Sequence, residues 1–185
     1  MQTLTTDIKQ LIERCQKKEQ SAYYAVYHLY AKSMYNTAYR ILNNTGDAED
    51  VMQESFIRAF EKIGDFESDT DYTARQFGSW LKRIVINRSI NAVKAQNKYY
   101  KEELSVVPDV DEGEAYSISD KYDVNQVLKC ISGLKDKYRI ALTLSVIEGY
   151  DYRDIAQIMG LSYQNVRTIT SRAKQQVVER YKTMV

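Results

Sequence analysis

Side chains that can hydrogen-bond to bases or phosphates are concentrated near the C-terminus of this chain. At the spacing of a helix that begins near Ser162, the side chains expected to face outward are Tyr163, Gln164, Asn165, Arg167, Thr168, Ser171 and Arg172. An arginine can bind guanine or phosphate, and a side-chain amide can pair with adenine. The pattern is typical of a helix that enters the major groove of DNA.

The residues around this segment predict the element that would position it. Residues 150–169 indicate two short helices joined at Gly160, which supplies a permissive backbone for the turn. Ser162 can cap the second helix, and Val166 and Ile169 lie three residues apart on its inner face. We interpret the segment as a helix-turn-helix, with DNA as the leading partner. An ordinary helical hairpin with a polar outer face is the alternative.

The sequence contains few of the residues and motifs on which enzyme catalysis usually depends. His28 is the only histidine, and Cys15 and Cys130 are far apart, which favours reduced, buried thiols over a disulfide or a metal site. No glycine-rich phosphate loop, nucleophile elbow or paired-carboxylate motif is recognisable. We therefore expect no enzyme activity, catalytic residue, metal, cofactor or small-molecule substrate. Without a long apolar run or a secretory signal, we also expect a cytoplasmic protein that is not inserted in a membrane.

The chain is predicted to be all-α, because one proline and seven glycines in 185 residues interrupt few helices. A first helical pattern covers residues 7–31, with a break near Lys17–Ser21, and a second helix is predicted from Ala31 to Leu42. After a polar loop from Asp65 to Gln76, a long helix is expected from Phe77 to about Gln96.

The third predicted helix is amphipathic. Asp47 is expected to cap it and Gly64 to end it. One stripe is apolar, and its residues are Ala48, Val51, Met52, Ser55, Phe56, Ala59, Phe60 and Ile63. The residues broadly opposite that stripe are Asp50, Gln53, Glu54 and Glu61. They should be exposed together, either as a docking surface for a basic partner or as an ordinary solvated face.

Charge divides the chain into blocks although its net charge is only +1. Residues 46–71 are acidic, residues 79–101 carry basic side chains and no acid, and residues 102–123 are acidic again with the composition of a linker. Residues 124–185 carry ten basic and five acidic side chains. Because phosphate neutralisation dominates affinity for DNA, we expect weak DNA binding unless another protein holds the chain there.

Three motifs resemble the extracytoplasmic-function sigma factors: Asp47 to Phe60, Phe77 to Arg88, and the helix-turn-helix that ends at Ser171-Arg-Ala-Lys174. The resemblance covers nearly the whole chain and implies two small helical domains joined by a flexible linker. It places region 2 in residues 1–98, the linker in residues 99–122 and region 4 in residues 123–185. It also implies a non-catalytic initiation subunit that binds core RNA polymerase and recognises the minus-35 and minus-10 promoter elements.

The same resemblance implies residue roles in region 2. Asp50, Gln53 and Glu54 match the surface that binds the clamp coiled coil of the largest polymerase subunit. The loop from Phe66 to Gln76 matches a segment that helps to capture a flipped base. Candidates for contact with the minus-10 region are Trp80, Lys82, Arg83, Asn87 and Arg88, although Trp80 can equally be a core residue that holds the loop.

For region 4, the resemblance implies contact with the minus-35 element. It also implies that the chain contacts the flap region of core polymerase. The candidate residues are Ser162, Tyr163, Gln164, Asn165, Arg167, Thr168, Ser171 and Arg172. An anti-sigma partner, often anchored at the inner membrane, is a further implication. Two other classes stay open, a stand-alone helix-turn-helix regulator and a helical adaptor without a nucleic-acid role.

Overall fold

The described part of the protein is helical and contains no strand, which confirms the predicted all-α class. The structure is a computed structural model that describes residues 8–67, 73–96 and 123–184. The chain forms two compact units, residues 1–89 and 90–185, which are treated separately below. The predicted linker and the middle of the predicted base-capturing loop lie outside the described residues. None of the described helices is both long and apolar enough to cross a membrane.

The first unit begins with a short helix packed on a long one. Helix α1 spans Ile8–Gln16 and α2 spans Gln20–Leu42. The predicted break between them is confirmed, and Lys18 adopts a positive φ of 62° there. The predicted boundary near Ala31 is wrong. Neither glycine nor proline occurs between residues 20 and 42, so nothing local ends the helix, and buried Val26 and Met34 continue one face across that position.

Side-chain contacts tie α1 to its neighbours. The Tyr23 hydroxyl donates to the Cys15 carbonyl at 2.8 Å, and the Gln16 amide donates to the Ile63 and Phe66 carbonyls at 3.0 and 2.9 Å. Cys15 and Cys130 are both buried free thiols, as predicted. Burial raises the pKa of the Cys15 thiol to about 11, so the unreactive protonated form prevails at neutral pH.

Helix α3 spans Thr45–Glu61, and its termini differ from the prediction. Asn44 caps it, because the Asn44 Oδ1 accepts a hydrogen bond from the Asp47 amide at 3.1 Å. Asp47 lies inside the first turn, where its carboxylate interacts favourably with the positive end of the helix dipole. The helix ends at Glu61 instead of Gly64, which belongs to a 3-10 turn at Ile63–Asp65.

The predicted apolar stripe of α3 forms much of the core of the first unit. Its members are buried except Phe60, which is half-buried. Aromatic rings of α2 and α3 meet in two pairs, Tyr23 with Phe60 at 4.7 Å and Tyr27 with Phe56 at 4.9 Å between centroids. Such pairs add specificity to the area that the rings bury. The outer face of α3 is consequently directed away from α2.

Helix α4 spans Thr73–Gln96, so it begins four residues before the predicted start at Phe77. Its first turn occupies what was predicted to be the end of the polar loop. Phe77, Leu81 and Val85 are fully buried at spacings of four residues, and they set the inner face of the helix.

Besides residues 90–96 of α4, the described part of the second unit contains four helices: α5 (Val124–Ser132), α6 (Asp136–Leu142), α7 (Tyr152–Met159) and α8 (Tyr163–Met184). A π-helical turn at Thr143–Ile147 extends α6. The core contains Ile131, Leu134, Leu142 and Ala173. Helix α8 has 22 residues, so the prediction of two short helices is correct only for α7. Its C-terminal half reaches back to α5, where the Tyr181 hydroxyl accepts from the Asp123 amide at 3.1 Å.

A buried arginine joins α5 to α6. Arg139 is 5% exposed, and its Nη1 donates to the Leu134 carbonyl at 3.1 Å while its Nη2 contacts Asp136 Oδ1 at 2.7 Å. The guanidinium therefore satisfies a carbonyl in the connection between the two helices and a carboxylate in the first turn of α6.

We expect Arg139→Met to lower the free energy of unfolding by about 2–3 kcal/mol, because the buried Leu134 carbonyl loses its donor. Urea unfolding of the full chain, followed by circular dichroism, measures the loss, and hydrogen exchange in α6 locates it. Arg153→Met is the matched control on an exposed side chain. Equal stability of the two variants would contradict the bridging role of Arg139.

Candidate functional site

The turn and the cap of the second helix in the helix-turn-helix form as predicted. Asp151 caps α7 by accepting from the Arg153 and Asp154 amides at 2.8 and 2.9 Å. Gly160 ends α7 in the left-handed conformation, with φ 72° and ψ 41°, which costs a glycine little. The Ser162 Oγ then accepts from the Asn165 amide at 3.2 Å and caps α8, as expected.

The inner face of α8 also agrees with the prediction. Val166, Ile169 and Ala173 are fully buried. Tyr163 and Gln164 are exposed, whereas Asn165, Arg167, Ser171 and Arg172 are half-buried. The first two turns of α8 therefore present polar side chains while three apolar residues hold the helix in the core.

Thr168 does not face outward as predicted. Its side chain is 6% exposed, and its hydroxyl donates to the Gln164 carbonyl at 3.0 Å. A threonine hydroxyl can donate to a carbonyl of its own helix, so a threonine can be buried without any other polar partner. By helical spacing, the buried Thr168 separates two rows. The first contains Gln164, Arg167 and Ser171, and the second contains Asn165 and Arg172.

Lys174 extends the first row by one turn, and it is exposed. Beside it lies a cavity of about 440 Å³ that is lined by Tyr152, Arg153, Tyr163 and Lys174, together with residues of the π-helical turn and the loop before α7. The Tyr152 and Tyr163 rings meet edge to face at 6.1 Å. Arg153 and Lys174 supply two cationic side chains to the lining of this cavity, and Asp151 supplies a carboxylate.

In the first unit, the outer face of α3 carries the residues predicted to dock a basic partner. Asp50, Gln53 and Glu54 are all exposed. Ile57 is 61% exposed and follows Gln53 and Glu54 by four and three residues, so it lies on the same face. Sequence reasoning missed Ile57 because only the buried stripe was sought, although an isoleucine outside that stripe was a visible signal.

Helix α4 places its predicted residues in different surroundings. Arg83 and Asn87 are exposed, and Ser79 precedes them at the same four-residue spacing. Lys82 is half-buried. Trp80 is half-buried as well, and its ring packs on Phe66 at 5.3 Å and on Phe77 at 5.6 Å. The contact with Phe66 connects α4 to the segment that follows α3.

Arg88 is turned toward α3 and forms an ion pair with Glu54 through its Nη2 and the Glu54 Oε2. One residue predicted to bind DNA and one predicted to bind polymerase are thus partners of each other. The Arg88 Nε is buried and has no hydrogen-bond partner among the described residues.

Comparison with known proteins identifies the two units. The family model described as sigma-70 region 2 matches residues 26–99, and that described as sigma-70 region 4 matches residues 125–177. The chain is 28% identical to the ECF RNA polymerase sigma factor SigW of Bacillus subtilis, over 91% of this chain and 93% of that protein. The chain belongs to the extracytoplasmic-function sigma factors.

Two further matches cover most of this sigma factor. It is 29% identical to the RNA polymerase sigma-H factor of Pseudomonas aeruginosa, over 91% of each chain. The solved structure of the sigma factor RpoE from Bartonella quintana, in complex with the anti-sigma factor NepR, matches with a TM-score of 0.55 at 21% identity. That match covers 85% of this chain and 95% of the other and confirms the fold.

As an RNA polymerase sigma factor, the protein binds core polymerase and directs promoter-specific initiation of transcription. The region 2 match contains α3 and α4, with Glu54 and Arg88. The region 4 match contains the helix-turn-helix and ends within α8 after Lys174. The two helices with the candidate contacts in region 2 therefore belong to one family domain, and both rows of α8 belong to the other.

We expect Thr168→Lys to destabilise the protein by about 2–4 kcal/mol, because a charge replaces a buried, satisfied hydroxyl. Gln164→Lys introduces the same side chain one turn earlier at an exposed position and should change stability by less than about 0.5 kcal/mol. Urea unfolding of the full-length variants measures both. If Thr168→Lys is as stable as Gln164→Lys, the burial of Thr168 is refuted.

Proposed function

We propose that the outer face of α3 is the surface by which this sigma factor binds the clamp coiled coil of RNA polymerase. The observation that carries the proposal is the joint exposure of Asp50, Gln53 and Glu54 above a helix whose opposite face is buried. Two carboxylates attract a basic partner and guide its approach. Ile57 supplies an apolar contact among them, as in interfaces where an apolar centre is surrounded by a polar rim.

We propose that α4 contacts the minus-10 region through its exposed row of Ser79, Arg83 and Asn87, with Lys82 beside it. Arg83 can bind phosphate, and the Asn87 amide can bind a base edge or the backbone. Trp80 has a supporting role in this proposal, since its ring packs between Phe66 and Phe77. The base-capturing loop predicted from the resemblance begins at Phe66, so this aromatic cluster anchors its first residue.

We propose that α8 reads the minus-35 element with Gln164, Arg167 and Ser171, a row that Lys174 extends toward phosphates. Asn165 and Arg172 contact the DNA backbone on the other side of Thr168. Ser162 and Tyr163 lie at the N-terminus of α8, where recognition helices approach base edges most closely. Thr168 is excluded from direct contact by its burial.

The predicted domains, residues 1–98 and 123–185, are part of the proposal. The 24 residues from 99 to 122 can reach about 80 Å when extended. Two promoter elements separated by two helical turns are about 70 Å apart. One chain is therefore long enough to contact both elements.

We also propose that an anti-sigma factor holds the protein inactive, in the cytoplasm or at the inner membrane, and that the protein itself catalyses no reaction. The Bartonella sigma factor with the same fold was solved with such a partner, which supports this part. Run-off transcription with purified core polymerase tests the whole proposal, because initiation at a discrete promoter requires the core-binding surface and both DNA contacts. A mobility shift of promoter DNA without core polymerase would instead favour a stand-alone regulator.

We expect Asp50→Lys to weaken binding to core polymerase by at least tenfold, because it places a cation where a basic surface docks. Fluorescence anisotropy of the labelled full-length chain, titrated with core polymerase, measures the affinity. Glu49→Lys is the matched control, since it makes the same charge change on the same helix at the edge of the face. Equal affinities for the two variants would rule out this face.

Arg167→Ala should weaken binding of the holoenzyme to its promoter by about 1–3 kcal/mol if the guanidinium is bidentate to guanine. The promoter found by run-off transcription and a version with a scrambled minus-35 element are compared in competition assays. A loss confined to the intact promoter supports base contact. The same loss on both DNAs would show that Arg167 binds phosphate.

A further inference from the structure

Arg88 differs from Arg83 of the same helix in having an ion-pair partner on α3. The Arg88 Nη2 pairs with Glu54 Oε2 on α3, 34 residues earlier in the chain. Its Nε is buried between the helices without a described partner. The exposed Arg83, one turn and one residue earlier, has no such contact with α3 among the described residues. The guanidinium of Arg88 is therefore committed to α3.

The ion pair constrains a side chain of the proposed polymerase surface. Glu54 is 57% exposed and lies on the face that also carries Asp50 and Gln53. Only its Oε2 is paired within the described residues, so Oε1 is available to a donor from outside. A carboxylate can accept hydrogen bonds at both oxygens, so a basic group of the partner can bind Oε1 while Arg88 keeps Oε2.

We propose that Arg88 is a positioning residue for core-polymerase binding, which orients Glu54, and that it is not a DNA contact. This inference rests on the proposed role of the α3 face. A free glutamate loses rotamer freedom when it is immobilised in an interface. Arg88 restricts that freedom before the polymerase arrives, so less is lost on binding.

Stabilisation of the fold is not the main effect of this pair. Glu54 and Arg88 are 57% and 37% exposed at the side chain, and ion pairs that are so accessible contribute little to folding. Against DNA contact stands the pairing of the Arg88 Nη2 with Glu54, because a DNA phosphate would have to replace that ion pair. The geometry thus favours preorganisation of Glu54 over both alternatives.

The test is a double-mutant cycle in the full-length chain, with core-polymerase affinity measured by anisotropy in the absence of DNA. Arg88→Met keeps the aliphatic stem and removes the charge, and Glu54→Gln removes the charge of the partner. We expect each single variant to weaken core binding roughly three- to tenfold and the double variant to lose little more, which is the signature of coupled residues. Arg88→Lys should recover part of the affinity.

A second measurement separates positioning from DNA contact. For holoenzyme binding to promoter DNA, the slope of log affinity against log salt concentration becomes less steep by about one when a phosphate contact is lost. We expect Arg88→Met to leave this slope unchanged and Arg83→Met, the matched control on α4, to lower it. A lowered slope for Arg88→Met with unchanged core affinity would overturn the inference.

Three further outcomes are also decisive. If the losses of Arg88→Met and Glu54→Gln simply add, the two residues act independently and positioning is refuted. If Asp50→Lys abolishes core binding while Arg88→Met does not affect it, this inference fails and the proposed function stands. If neither variant affects core binding, the α3 face itself is wrong. Urea unfolding of every variant confirms that the measured losses do not come from unfolded protein.

Discussion

The packing of α3 against α2 is the interaction on which the proposed polymerase surface depends. A helix that buries Val51, Met52 and Phe56 on one side must direct its remaining side chains outward. The two aromatic pairs between α2 and α3 fix the rotation of α3, because a small turn of the helix would separate the rings. The contacts that form the core consequently also expose Asp50 and Gln53, and no further interaction is needed to keep these side chains at the surface.

The fold class and the helix-turn-helix could be predicted because their signals are local. Gly160, Ser162 and the spacing of Val166 and Ile169 act within a few residues of one another, and each has the predicted conformation or burial. The residues at which helices begin and end were harder to predict from the sequence. Asn44 and Asp47 are both good capping residues, and only the backbone geometry decides between them.

The contacts that sequence reasoning missed depend on tertiary structure. The pairing of Arg88 with Glu54 joins residues 34 positions apart, and no periodicity within one helix can indicate it. Thr168 was assigned to the outer face by helical spacing, whereas its side chain is buried and its hydroxyl is satisfied by its own helix. Charge and polarity alone therefore overestimated the number of side chains available to DNA.

That smaller number of cations bears on why this sigma factor should need polymerase at promoters. With Arg88 paired to Glu54, the basic side chains that we propose for DNA contact on α4 and α8 are Lys82, Arg83, Arg167, Arg172 and Lys174. Each phosphate contact adds about 0.9 to the slope of log affinity against log salt concentration, so about five contacts provide only modest binding at physiological salt. The acidic face of α3 further reduces attraction to the duplex. Docking of that face on a basic polymerase surface neutralises the repulsion and raises the local concentration of DNA around the remaining cations.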